Sequence, residues 1–249
     1  MAIDRTVLPE LLDDLGSQDP DAQRSRKDLQ RLHRIIGTQR ILLDALRKMP
    51  MRRPHTASGL PLQMLEIGAG DGSLMLDVAH GLKGAWPDVS LTLLDRLNLL
   101  EPTTVKRYAT ARWSAHAAVG DVIDWAQPDP VVAPTPPQAR WDLIVANLFL
   151  HHFERPQLTA LLAAIAERAN CFIACEPRRG WLALAGSHLV GVIGANAVTR
   201  QDAVLSVHAG FRQQELGSLW PDPERQWTTK EYSAGMFSHC FSAIRTGRE

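Results

Sequence analysis

Residues 64–74 read MLEIGAGDGSL. An apolar run ends at Ile67, glycines follow at 68, 70 and 72, and a helical pattern begins after Asp71. Glycines at that spacing belong where backbone turns sharply and a ligand must approach it closely. The helix that follows offers unpaired backbone N–H groups at its first turn. The stretch therefore reads as strand, ligand-binding turn, helix.

Working outward from the turn, short apolar runs alternate with helical stretches. Strands are predicted over 62–67 (LQMLEI), 89–95 (VSLTLLD), 115–121 (AHAAVGD), 141–147 (WDLIVAN) and 171–176 (CFIACE). Helices fit after Asp71, around 103–112 and over 156–169. Two further strands are expected around 211–219 and 235–244. This alternation predicts an α/β fold, a Rossmann-like doubly wound and mostly parallel seven-stranded sheet. The proline-rich stretch 127–140 is expected to be a surface loop. Residues 181–198 carry no Asp, Glu, Lys or Arg and read as one buried or ligand-facing helix rather than a membrane span. TRQD at 199–202 then resembles a capping box that starts the next helix.

The first 55 or so residues look helical. A short helix is expected within 7–16 and a longer one over 21–49, with Leu29, Leu32, Ile35 and Ile36 and then Ile41, Leu42, Leu43 and Leu46 at helical spacing. Pro50 and Pro54 end the run, and 49–61 reads as a linker. The expected division is an N-terminal helical cap over 1–55 and a cofactor-binding domain over 56–249.

Composition narrows the partners. Over 249 residues, Lys plus Arg equals Asp plus Glu, so the formal net charge is zero. A nucleic-acid binder carries a basic surplus or stripe, and the cluster Arg24, Arg26, Lys27, Arg31 and Arg34 reads as a solvated helix face. No nucleic-acid partner is expected. Three cysteines, Cys171, Cys175 and Cys240, form no tight pairing pattern and read as core residues, with no metal site expected. The acidic start of the chain does not read as a signal peptide, which predicts a cytoplasmic protein. The oligomeric state is left open.

Two details at the turn argue against a dinucleotide. The G-x-G-x-x-G fingerprint needs glycine at 73, where this chain has Ser73. Glu66 and Asp71 would repel a pyrophosphate. A cofactor with a cationic centre and an ammonium group tolerates them, and S-adenosylmethionine (SAM) is one. At this point the sequence resembles the class I SAM-dependent methyltransferases, in particular a bacterial small-molecule subgroup of the secondary-metabolism type. LEIGAGDG looks like their first motif, which implies cofactor contacts at Glu66, Gly68, Ala69 and Gly70. Asp95, with Arg96 beside it, stands where that family places an acid on the ribose hydroxyls. Asp121 and Val122 match the segment that approaches the adenine, although Asp121 also reads as a helix N-cap. Asn147 and Leu148 begin ANLFLHHF, the segment after the fourth strand.

In such enzymes the protein aligns the acceptor with the methyl group and excludes water. A base is useful, and a histidine titrates in the right range. His151 is the candidate base, the alternative being a histidine that holds its loop by hydrogen bonds; His152 is its neighbour. Arg178 or Arg179, past the fifth strand, is a candidate clamp for an acceptor oxygen. Trp125 reads as a cover for the adenine or as core. The N-terminal helices and the uncharged stretch suggest a hydrophobic chamber and a small apolar or aromatic (phenolic or polyketide-like) acceptor, methylated at oxygen. The competing readings are a nicotinamide-dependent oxidoreductase and a SAM-binding module without turnover.

Overall fold

The computed structural model describes residues 3–16, 18–49, 60–128, 132–134, 140–222 and 224–246. Strands β1 (Leu62–Ile67), β2 (Val89–Asp95), β3 (Trp113–Val119), β4 (Leu143–Asn147), β5 (Cys171–Pro177), β6 (Trp227–Ala234) and β7 (Ser238–Arg245) form one seven-stranded sheet in the order β3-β2-β1-β4-β5-β7-β6. The first five run parallel, and β7 is antiparallel to both β5 and β6. This is the predicted Rossmann-like sheet. The strand order reverses between β1 and β4, where open sheets of this kind hold their ligands beyond the carboxyl ends of the strands.

Both faces of the sheet are covered. On one side lie α3 (Thr38–Leu46), α4 (Ser73–Leu82) and α5 (Pro102–Thr110), which bury Leu42, Leu46, Met75, Leu76 and Tyr108 with Trp113. On the other, α6 (Val122–Trp125) and α7 (Arg155–Arg168) bury Trp125, Leu158, Leu161 and Leu162 with Trp141. Each such aliphatic side chain contributes about 1.5–3 kcal/mol on burial. Cys171, Cys175 and Cys240 are buried free thiols in the first layer, as core residues should be.

Several elements depart from the sequence reading, each for a local reason. The long N-terminal helix is two: α2 (Pro20–Ile36), capped by the Asp19 carboxylate, ends at Gly37, whose φ of 76° is left-handed, and α3 starts anew. A left-handed residue satisfies the last carbonyls of one helix and turns the chain out of it. β3 begins two residues early because Trp113 pairs with Val89 and stacks between Trp86 and Tyr108. Its predicted end, Asp121, instead caps α6 by accepting a hydrogen bond from Ile123 N at 2.8 Å. β4 begins late, since Trp141 makes only an isolated bridge to Ala169. The uncharged stretch holds α8 (Trp181–His188) and a 3-10 turn over Val190–Ile193, broken by left-handed Gly194. The next helix, α9 (Ala197–Ala209), is capped by Asn196, not by a box at 199–202. Residues 211–219 are turns rather than a strand, because Glu231 accepts from Leu216 N and Gly217 N and folds them over the sheet. The strand there is β6, an edge strand whose polar, half-exposed residues carry little apolar signal.

Among the described residues no helix is long and apolar enough to cross a membrane. The predicted linker and its boundary at 55 fall largely outside the described residues, as does much of the loop at 127–140.

Candidate functional site

At the carboxyl ends of β1 and β2 the glycine turn is folded by its neighbours. Gly68 N donates to Leu94 O at 2.9 Å, and Gly70 N donates to Asp95 Oδ2 at 2.9 Å. All three glycines have positive φ, between 58° and 70°. A Cβ on Gly68 would lie 2.2 Å from the Phe149 ring, whereas one on Gly70 would meet nothing within 4 Å. Gly68 thus admits Phe149 from the β4 loop, and Gly70 is the position that opens on free space. Asp71 accepts from Ser73 N at 3.0 Å and from the Gln30 amide at 2.6 Å, which ties α2 to the turn. Tyr108 supports it from below through a 2.6 Å bond to Gly72 O.

Three polar groups face the space above. The Asp95 carboxylate accepts from Gly70 N and from Leu97 N, one bond per oxygen, which leaves each oxygen with capacity for another donor. Glu66 is buried, and its Oε2 has no partner among the described residues. Burial first, then the charges of Asp71 and Asp95, push its carboxyl up to about 8. Asn147 Oδ1 is also buried without a partner. Such atoms carry a desolvation cost of about 1–3 kcal/mol each unless a ligand or water meets them. Beside Asn147, Leu148 holds a φ of 49°, rare for a non-glycine residue.

The space continues into a cavity of about 1200 Å³. Glu66, Gly68, Ala69, Gly70, Asp95, Arg96, Asp121, Val122, Asn147 and Leu148 all border it, as do His151 and His152. A site for one small ligand spans about 300–1,000 Å³, so this one has room for two molecules. Its far walls are apolar, with Leu29, Leu32 and Ile36 from α2, Val190 from the turn after α8, and Phe153 and Phe237.

The N-terminal segment roofs the cavity. Arg5 donates to Ala209 O at 2.8 Å and to Phe153 O at 2.9 Å. α1 (Leu11–Asp14) is held by the Asp202 carboxylate, which accepts from Leu11 N and Leu12 N. Arg96 reaches the roof at Asp13, 3.7 Å away. Two carboxylates from this roof meet the histidines. His151 lies between Glu176, 2.8 Å from Nδ1, and Glu10, 3.3 Å from Nε2. Its burial disfavours charge, but the bonds to Glu10 and Glu176 outweigh that and raise its pKa to about 9. His151 is therefore an imidazolium at neutral pH, with both ring nitrogens taken. His152 Nδ1 meets Asp13 at 3.2 Å, and its ring lies 4.3 Å from that of His151.

Glu10, Asp13 and Glu176 were not singled out as functional from the sequence. Glu10 lies 141 residues from His151, and only the fold brings them together. Glu176 also accepts from Phe149 N and Leu150 N, so this buried carboxylate shapes the whole loop after β4. Arg178 is not brought to the cavity; its guanidinium donates to Gly235 O at 3.4 Å. Arg179 is buried against Ile3 O, Gly210 O and Glu215. Trp125 is core, its indole bonded to Val132 O. His188 is exposed, while His239 is buried against Glu231 at 2.7 Å.

No family model matches the chain, and no curated protein does. Solved structures do. The plantazolicin methyltransferase BpumL in complex with SAH is 13% identical, with a TM-score of 0.60 over 92% of this chain and 91% of that one. The plantazolicin methyltransferase BamL, in complex with a triazolic desmethylPZN analog and SAH, is 12% identical, with a TM-score of 0.61 over 95% and 93%. The chain has the class I methyltransferase fold. The pyocyanin biosynthetic protein PhzM shares it at 16% identity and a TM-score of 0.55, over 92% of this chain but only 60% of PhzM.

Proposed function

We propose that the protein is a SAM-dependent methyltransferase that methylates a small apolar or aromatic metabolite at oxygen. The observation that carries this reading is the single cavity that joins the glycine turn, with its unpartnered Glu66, to an apolar chamber ending at His152. The neighbours named for plantazolicin and for pyocyanin biosynthesis support the metabolite class. The residues fit the cofactor. Glu66 would accept its ammonium, Asp95 the ribose hydroxyls and Asp121 the adenine amino group. Ala69 and Gly70 offer backbone, Val122 and Leu148 apolar walls, and Asn147 an amide oxygen. When bound, SAM supplies a methyl group on a sulfonium. The N-terminal helices act as a cap over a cofactor-binding domain, and the acidic groups at the turn disfavour a pyrophosphate cofactor.

With no metal ion bound, the acceptor's proton goes to His152. Asp13 holds its Nδ1, which leaves Nε2 as the nitrogen that takes the proton, the arrangement a general base needs. His151 already holds a proton between two carboxylates and serves as a fixed positive charge rather than as the base. In chelator-treated protein, His152→Ala is expected to lower turnover on a phenol by about a hundredfold or more while SAM binding persists. The defect should shrink as pH rises toward the phenol's own pKa. Labelled SAM with a phenol panel measures it. SAM binding with no acceptor methylated would instead mark a binding module, and a pH-independent defect would remove His152 as the base.

Glu66 supplies a test that needs no acceptor. With its carboxyl at about 8, it is mostly protonated at pH 7. An ammonium ligand favours the carboxylate, so SAM binding at pH 7 should release close to one proton. Calorimetry in two buffers of different ionisation enthalpy reads this directly. Glu66→Gln should abolish the release and weaken binding; an unchanged proton count would place the ammonium elsewhere.

A further inference from the structure

Glu10, His151 and His152 each offer one ligand atom, and the three atoms lie within 4.8 Å of one another. Around them stands an outer layer. The Nδ1 of His151 meets Glu176 at 2.8 Å, and the Nδ1 of His152 meets Asp13 at 3.2 Å. A histidine that ligates a metal through one nitrogen characteristically has the other held by a carboxylate, which fixes its ring and raises its basicity. Here both neighbours are held that way, by carboxylates from opposite sides of the cavity. Their Nε2 atoms are the ones left for an ion.

From this we propose that Glu10, His151 and His152 form a binding site for a divalent first-row transition ion such as Zn²⁺. Glu10 Oε1 and His151 Nε2 stand 3.3 Å apart, and two ligands at about 2.0–2.1 Å on a tetrahedral ion are themselves about 3.3 Å apart. The third ligand closes the set by a side-chain adjustment at His152, which is partly exposed. Two imidazoles and one carboxylate suit zinc, cobalt, nickel or iron; magnesium and calcium favour all-oxygen sets, and copper(I) favours sulfur. Binding displaces the proton now shared by His151 Nε2 and Glu10, and that proton leaves to solvent. Three protein ligands leave a fourth position, and all three residues border the cavity. An acceptor oxygen bound there would be acidified by the ion itself. Because Glu10 belongs to the roof and the histidines to the sheet side, the ion would also fasten the roof to the β4 loop.

The site does not depend on methyl transfer, so its test is binding. Full-length protein without a histidine tag is treated with chelator and titrated with Zn²⁺ against a chromophoric competitor, then with Co²⁺ while its visible d–d absorption is followed. One ion per chain is expected, with a Co²⁺ spectrum of low coordination number. Glu10→Gln and His152→Ala should each weaken Zn²⁺ by more than the roughly 10–100-fold that a lost outer partner costs, and Asp13→Asn by about that range. Circular dichroism on each variant confirms that it is folded. Absence of stoichiometric binding overturns the proposal, and so does binding that survives both ligand variants. SAM affinity, measured on the same samples, reports separately on the methyltransferase reading.

Discussion

His151→Ala is expected to cost about 3–5 kcal/mol of folding stability at pH 6.5 in chelator-treated protein, the range for removing one member of a buried ion pair. The side chain is 3% exposed, Glu176 is fully buried, and Glu10 is 13% exposed. Without the imidazolium, two carboxylates face one buried space with no cation between them. Burial pushes the Glu10 carboxyl up, and its bond to His151 is what holds it below its usual value. The pH dependence has a definite sign. The pKa of His151 is raised from about 6.5 in the unfolded chain to about 9 in the folded one. Its contribution is therefore full below the unfolded value and is lost as pH rises through about 9. Urea denaturation at steps between pH 6.5 and 9 should show this His151-dependent part of wild-type stability declining and the variant lacking that decline. A loss under about 1 kcal/mol would mean that water or relaxation replaces the imidazolium.

Asp95→Ala should weaken SAM about tenfold to a hundredfold. Hydrogen bonds to a charged group are worth about 1.5–3 kcal/mol, and each 1.4 kcal/mol is a factor of ten. The effect has two parts. Asp95 would lose the ribose hydroxyls, and Gly70 N and Leu97 N would lose their acceptor. Asp95→Asn separates them, since an amide oxygen still accepts from one backbone N–H but brings no charge to the ribose. Calorimetry on both variants gives the division. A loss below twofold for Asp95→Ala would reduce Asp95 to a turn residue.

The middle of the sheet was legible because β1, β2, β4 and β5 are buried on both faces. β1 and β2 are mostly apolar runs, one stopped by the glycine turn after Ile67 and the other by Asp95, so their limits agree to the residue. β6 was missed for the opposite reason: as an edge strand it has no apolar stripe to read. The N-terminal helix was read as one because its apolar spacing continues across Gly37, and spacing does not register a left-handed turn. At the candidate site, the turn side of the cavity could be read because Glu66, the glycines and Asp95 lie at or beside strand ends in chain order. The histidine side could not. His151 is set between Glu10 and Glu176, residues far apart in sequence, and no local pattern states that a histidine will be flanked by two carboxylates. Arg178 illustrates the converse error: being near the end of a strand does not aim a side chain, and this one points toward the β6–β7 turn.

Gly37 divides helices with different obligations. α3 is anchored in the core by Leu42 and Leu46, both fully buried, and shortening either should cost about 2–5 kcal/mol. Leu29, Leu32 and Ile36 of α2 face the cavity and are only half-buried. Replacing them removes little packing, so this wall is the part of the chain where residues can drift at small penalty. Under selection for a different acceptor, variation would collect along α2, while the turn at 68–72 and the helix beyond Gly37 stayed constant.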